Sequence, residues 1–345
     1  MATRGRKPHK GNREPTLDRR PLIEESTVDF SLQQKCLDIF RDALQPSQDD
    51  AQAVQEVKGH LYDRNFSAAF GRDEYLRVYA SRWSPSRALA YAEIFSHVTP
   101  NLSTRLSRSG EDGACSFNVV CIGGGAGGEL VGLAGWFHAW LDQSVSAASH
   151  QHLHVRLIDV ADWASITQIL HNAITTPPKL SEYASQAKKE ANVALLQSTS
   201  ISTGFHRTDV LEPQTEALVD CLRSADLVTC MFTLNELYSA SMPKTQQLLH
   251  TITDTVKSGA HFLVVDSPGS YSTVSVNGSE KKYPMQWLLD YTLRQPGQQK
   301  QDDKWQRLAS EESRWFRHPL ALQYPIDLEN MRYQIHLYRR ADTGG

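Results

Sequence analysis

Between an apolar run, Phe117 to Ile122, and an acid, Glu129, lies Gly123-Gly124-Gly125-Ala126-Gly127-Gly128, with five glycines in six positions. Without Cβ atoms such a turn lets a bound molecule rest against the backbone, and the amides of a helix beginning there point at it. Four more polar points each follow an apolar stretch: Asp159 after Val155-Arg156-Leu157-Ile158, Asp209 after Phe205-His206-Arg207-Thr208, Asn235 and Glu236 after Leu227 to Phe232, and Asp266 after Phe262 to Val265. An open α/β sheet gathers its ligand site at such strand ends. The chemistry implied is a nucleotide-like cradle whose carboxylates accept hydroxyl and amine hydrogens, with an amide and a carboxylate at its mouth.

Gly123-x-Gly125-x-x-Gly128 formally matches a dinucleotide fingerprint, but that site needs a ribose-binding acid about 20 residues on. Asp159 comes 31 residues after Gly128, so a nicotinamide-dependent oxidoreductase would require an inserted loop at 142 to 154. A turn that only allows tight helix-sheet packing is the other simple explanation. The ordered series of acids favours S-adenosylmethionine (SAM), which has no pyrophosphate. Asp159 would take the ribose hydroxyls and Asp209 the adenine amine. Trp163 would either cover the adenine or pack against the next helix.

The elements that must hold these residues read as alternating strands and helices from 117 onward, with strands near 117–122, 154–158, 204–208, 227–232 and 261–265. The implied fold is α/β, a doubly wound, mostly parallel sheet. Tyr333 to Tyr338 alternates in polarity and is expected to pair antiparallel with a strand at 320–324. Polar loops are expected at 142–152 and 296–304. Upstream, Leu32, Cys36, Ile39 or Phe40, and Ala43 or Leu44 recur at helical spacing, and more helices follow to about 98.

The 345-residue chain has a net charge of only −3, so any nucleic-acid surface must come from local segregation of charge. Residues 1–20 hold seven basic residues against Glu14 and Asp18 and read as a disordered basic arm. From 58 to 108 eight basic residues against four acidic ones interleave with Tyr62, Phe66, Phe70, Tyr75, Tyr79, Trp83 and Tyr91, either a nucleic-acid face or a helical bundle with a solvated rim. Within this stretch Arg82-Trp83-Ser84-Pro85-Ser86-Arg87 suggests a helix start, with Ser84 as cap and Pro85 in the first turn. Five cysteines without a C-x-x-C motif fit a reducing compartment. The low-charge stretch 117–137 is too glycine-rich, and interrupted by Glu129, to read as a membrane span. His150, His152 and His154 alternate, yet no cysteine or acid stands at ligand spacing, and no metal is expected. Serine-hydrolase elbows and P-loops are absent from the sequence.

The run Cys121 to Glu129, Asp159-Val160-Ala161-Asp162-Trp163, Met231-Phe232-Thr233-Leu234-Asn235-Glu236-Leu237 and Arg82-Trp83-Ser84-Pro85-Ser86-Arg87-Ala88-Leu89 together resemble the fungal 25S ribosomal RNA (uridine-N3)-methyltransferases over roughly residues 55–340. The resemblance implies a class I, Rossmann-like, seven-stranded sheet with an N-terminal helical extension, SAM as cofactor, and ribosomal RNA or a pre-ribosomal particle as partner. It divides the chain into an arm (1–30), a helical RNA-binding extension (31–110) and a methyltransferase domain (111–345).

The cofactor-contacting set is then Gly123, Gly124, Gly125, Gly127, Gly128, Glu129, Asp159, Val160, Trp163, Asp209, Val210 and Thr233. Arg82, Trp83, Ser84 and Arg87 would contact RNA, with Trp83 stacking on an unpaired base. Uracil N3 is protonated between two carbonyls, so Glu236 is the expected base unless it caps the following helix. Asn235 would orient a uracil carbonyl or the SAM amino group. A protein-lysine methyltransferase and a silent RNA-binding subunit of the same fold are the competing functions. The expected location is the nucleus or nucleolus, with the cytoplasm also open.

Overall fold

Buried parallel strands have no solvent face, which is why the central strands of this chain read as unbroken apolar runs. The computed structural model describes residues 26–106, 115–143, 151–212, 216–269, 271–276, 279–294 and 303–342. Helices α1 (Phe30–Leu44), α2 (Ala51–Tyr62), α3 (Phe66–Ala69) and α4 (Asp73–Leu106) lead into β1 (Cys115–Ile122), α5 (Gly128–Gln143), β2 (Gln151–Asp159), α6 (Ala164–Thr175), α7 (Gln186–Glu190) and β3 (Ile201–Arg207). After these come α8 (Glu216–Ser224), β4 (Leu227–Met231), α9 (Leu234–Ala240), α10 (Met242–Thr255), β5 (His261–Asp266), β6 (Tyr271–Val276), β7 (Ser279–Pro284), α11 (Met285–Arg294), β8 (Trp305–Phe316) and β9 (Met331–Arg340).

Seven strands form one sheet in the order β3-β2-β1-β4-β5-β9-β8, parallel except for β9 and β8. The strand pleat sends alternate residues to opposite faces. Val119 and Cys121 join one core under α1, α4, α5 and α6, whereas Val120 and Ile122 join the other, under α8, α10 and α11. The N-terminal helices therefore share a core with the sheet. On α5, a Cβ at Gly132 would lie 2.9 Å from the Ala88 carbonyl and one at Gly135 2.8 Å from Cys36 Sγ, so α4 and α1 approach closer than any side chain there allows.

Three sequence expectations change. β9 pairs antiparallel with β5 and β8, and 320–324 is a loop; the period-two pattern of β8 is broken by register shifts between Arg307 and Ala309 and between Glu311 and Arg314. The β6–β7 hairpin was not anticipated, although its strands flank Asn277-Gly278, the strongest short hairpin signal in a sequence.

The third concerns Pro85, which starts no helix and lies inside the 34-residue α4. Proline cannot donate to the carbonyl four residues back. Here the Ser81 carbonyl accepts the Tyr324 hydroxyl instead, at 2.9 Å, and Ser84 Oγ donates to the Ala126 carbonyl at 2.7 Å.

Residues 1–25 of the basic arm, His150, and most of the two polar loops lie outside the described residues. The last residues assigned to the arm are packed: Val28 is buried, the Thr27 amide donates to Glu93 at 2.9 Å, and Asp29 caps α1. His152 and His154 are engaged at Nδ1 with the Thr199 carbonyl and Ser202 Oγ. No helix among the described residues is long and apolar enough to cross a membrane.

Candidate active site

The sheet order reverses direction between β1 and β4, and a cavity of about 900 Å³ opens beyond the carboxyl ends of the parallel strands there. Its floor is the glycine turn. The Gly123 amide donates to the Ile158 carbonyl at 2.8 Å, tying the turn to the end of β2. Gly123 has φ +79°, and a Cβ there would sit 2.2 Å from Thr233 Oγ1. Gly125 admits no side chain because the Trp163 ring would be 2.1 Å away. Gly123, Gly124 and Gly128 line the cavity, whereas Gly125 lies behind Trp163 and Gly127 faces Leu170.

Asp159, at the end of β2, accepts the Gly125 amide at 3.2 Å and the Ala161 amide at 3.1 Å while lining the cavity. Burial raises its pKa against these bonds. Val160 stands exposed on the rim and Val210 is buried in the wall. Trp163 is fully buried, its ring centre 5.3 Å from Phe70 and 5.8 Å from Tyr79, so it packs against the N-terminal helices as well as lining the cavity. Asp209 is exposed and accepts the Leu211 amide at 2.9 Å through one oxygen, Oδ1.

Glu129 is 3% exposed and accepts a hydrogen bond from Thr229 Oγ1. Burial pushes its carboxyl up to about 7, with nearby Asp159 acting in the same direction. Asp266, at the end of β5, had been given no role from sequence. It accepts the Asn235 amide at 3.0 Å and the Ser267 amide at 2.8 Å, and burial pushes it up to about 6. Asp266 thereby caps α9, leaving the Glu236 side chain free of that duty. Glu236 is 37% exposed and faces Arg64 Nη1 at 3.6 Å; both Asn235 and Glu236 line the cavity.

Between β4 and α9, Phe232 sits at φ +56°, where a bulky residue costs roughly 1 to 3 kcal/mol. Its amide donates to the Val265 carbonyl at 2.7 Å, so the chain leaves the sheet in a sharp turn that brings Thr233 against Gly123. The opposite wall comes from α2 to α4, with Lys58, Tyr79 and Trp83 among its residues.

Of the residues expected to touch RNA, Trp83 lines the cavity and Arg82 pairs with Glu329. Arg87 donates to the Tyr79 hydroxyl at 2.9 Å and lies 5.3 Å from the Phe232 ring centre. Ser84 lines the cavity as well, but it is 2% exposed, and its hydroxyl holds the glycine turn through Ala126. Sequence reasoning missed Arg64, Phe232 and Asp266. Only Asp266 left a signal, a lone acid ending an apolar run.

The cavity suits the cofactor expected from sequence. Bare backbone lies along one side, and carboxylates from Glu129, Asp159, Asp209 and Glu236 line it, acceptors that fit the hydroxyls and amines of such a ligand.

A family model described as "Putative SAM-dependent methyltransferase" matches residues 38–339. The chain is 33% identical over 342 residues to a Saccharomyces cerevisiae protein named 25S rRNA (uridine(2843)-N(3))-methyltransferase, covering 92% of this chain and 87% of that protein. Among solved structures, a SAM-dependent methyltransferase from Methanosarcina mazei is 10% identical with a TM-score of 0.40, covering 70% of this chain and 97% of its own. An N-methyltransferase from Bradyrhizobium japonicum in complex with S-adenosyl-L-homocysteine is 14% identical with a TM-score of 0.32, covering 73% and 88%. At these values the two structural likenesses assign no residue roles.

Proposed function

Because this chain belongs to the family of SAM-dependent methyltransferases, we propose that it methylates N3 of a uridine in large-subunit (25S) ribosomal RNA. When bound, SAM supplies an electrophilic methyl group on a sulfonium. The glycine turn would hold it, Asp159 and Asp209 would accept from its adenosine, and Glu129 would meet its ammonium. The family membership sets aside the nicotinamide reading.

The acceptor nitrogen carries a proton between two carbonyls and is a poor nucleophile until that proton leaves. Glu236 takes it. The single observation behind this assignment is that Asp266 serves the α9 amide, so the Glu236 carboxylate lies in the cavity without a capping role. Asn235, its backbone fixed by the same Asp266, offers its side-chain amide to a uracil carbonyl as charge develops there. A positioned base contributes about 10² to 10⁴-fold. Alignment of the acceptor with the methyl group can supply roughly 7 to 11 kcal/mol. N3 lies on the pairing edge, so the base must be unpaired or flipped, and Trp83 provides a ring for it to stack on.

Mapping N3-methyluridine in ribosomal RNA from cells with and without the gene tests the proposal, together with methyl transfer from labelled SAM to unmodified ribosomal RNA by the purified protein. An unchanged modification map and no transfer overturn it. The partner is then a pre-ribosomal particle or its RNA, and the location the nucleus or nucleolus, both testable by co-sedimentation and by imaging of a tagged protein.

A further inference from the structure

Trp315 stands on β8, the edge strand, with 51% of its surface exposed. It lies at the same end of the sheet as the cavity: its register partner on β9 is Arg332, two residues before Gln334, which pairs with Asp266 at the end of β5. Two guanidinium groups lie near its ring, Arg317 at 5.3 Å and Arg332 at 5.8 Å from the ring centre. Arg332 Nε donates to Ser313 Oγ at 2.9 Å, which aims the group without neutralising it. Neither arginine forms an ion pair with a carboxylate among the described residues.

A groove of about 200 Å³ lies between Arg332 of this cluster and the site. Arg332 lines its outer end; Trp83, Arg87 and Phe232 line both the groove and the main cavity. Glu329, the one carboxylate lining the groove among the described residues, is already held by Arg82. Leading outward from the cavity, the surface is thus aromatic and cationic.

We propose that Arg317, Trp315 and Arg332 form a stacking platform for single-stranded RNA, holding a nucleotide that flanks the one delivered to the cavity. The inference rests on the RNA reading of the site. A base whose pairing edge is methylated sits in locally unpaired RNA, so its neighbours also expose flat faces and phosphates. A half-exposed indole with two cations beside it matches both features at once, stacking a base and receiving the phosphates next to it. An acidic polypeptide would satisfy the arginines and leave the ring without a partner. Simple protection of the edge strand would explain the charges but not their placement on a tryptophan whose partner Arg332 lines a groove beside the cavity.

The test compares wild type, Trp315→Ala, Trp315→Phe, Arg317→Ala and Arg332→Ala for binding of a labelled short oligouridine RNA across a salt series. Affinity for S-adenosyl-L-homocysteine and thermal melting are measured on the same samples. Trp315→Ala should weaken RNA binding about 10- to 100-fold while Trp315→Phe stays near wild type. Each arginine variant should flatten the plot of log affinity against log salt by about 0.7. Binding of S-adenosyl-L-homocysteine and melting should not change.

Unaltered RNA affinity in Trp315→Ala overturns the platform, and a lowered solubility or melting temperature alone would assign the cluster to edge protection. Polyglutamate that displaces the RNA from wild type, and whose own binding is lost in Trp315→Ala, would reassign the surface to an acidic protein. A wild type that binds S-adenosyl-L-homocysteine but not RNA fells the proposed function as well as the platform. Wild-type RNA binding beside an unaffected Trp315→Ala fells the platform alone.

Discussion

The carboxylate of Asp159 bonds the amide of Gly125 at 3.2 Å, so the acid that ends β2 also fixes the turn that follows β1. One side chain thus joins the two elements that would enclose an adenosine. Removing it should loosen the turn as well as delete an acceptor.

Asp159→Ala is expected to weaken binding of SAM by about 10- to 100-fold, in keeping with roughly 1.5 to 3 kcal/mol for hydrogen bonds to a charged group. Asp159→Asn, which keeps one oxygen for the Gly125 amide, should lose less. Titration calorimetry on variants with native circular dichroism checks the order; equal affinity in all three proteins would remove Asp159 from the site.

Glu236→Gln should lower turnover on RNA by about 10² to 10⁴-fold with little change in affinity for SAM, as for loss of a base rather than of a ligand contact. Raising the pH should recover part of the rate, because solvent then removes more of the N3 proton. Single-turnover kinetics across a pH series would decide. Wild-type rates in the variant would leave catalysis to positioning and to Asn235.

Glu129 makes the ligand-free protein sensitive to pH. Its carboxyl rises from an ordinary value of 4.5 to about 7 on folding, so between those values the folded chain holds a proton that the unfolded chain releases. That contribution to stability is full below the lower value and lost as pH rises through the upper one. Asp266, raised from 3.8 to about 6, acts with the same sign. Stability should fall by about 2 to 3 kcal/mol from Glu129 alone as pH rises from about 5 to about 8. Glu129→Gln should flatten the profile and melt higher at the alkaline end, as followed by denaturant titration. Binding of SAM, whose ammonium favours the ionised carboxylate, should release a proton near neutral pH, visible as a buffer-dependent enthalpy in wild type and absent in the variant.

Gly125→Ala tests the close contact with Trp163. The added methyl would stand 2.1 Å from Trp163 Cδ1, which overpacks the site at a cost of about 1 to 3 kcal/mol and pushes the indole into the cavity. Melting and SAM affinity should both fall. Combining it with Trp163→Phe should cost less than the two single changes added together, and a strictly additive result would mean that the two positions do not touch in solution.

Much of the fold was legible where the physics is local. The glycine turn and the acids at strand ends stood out because buried parallel strands are apolar throughout and stop where polar residues begin. Trp305–Phe316 was hidden because two register shifts break its alternation, although β9 beside it was recognised. Ser84 and Pro85 were misread for the opposite reason: their local signal is a helix start, but the carbonyl freed by the proline finds Tyr324, 243 residues distant from Ser81 in sequence. Arg64 left no trace, since it joins the site only through the turn after α2 that brings it to Glu236. Asp266 was visible as a residue, but its link to Asn235 depends on β4 and β5 lying side by side.

The unbroken course of α4 through Pro85 sets a rule for how this gene can change length. The part before Pro85 presents Tyr79, Trp83 and Ser84 to the cavity and the glycine turn, and the part after it seats Ala88 against Gly132. Inserting or deleting a single residue between Ser84 and Ala88 would rotate one half against the other by roughly 100° and slide it by about 1.5 Å. Either the hydroxyl would leave Ala126 or the helix would lift from α5. Insertions and deletions in descendants of this sequence should therefore gather outside α4, and the helices before residue 110 and the sheet after it are inherited as one piece.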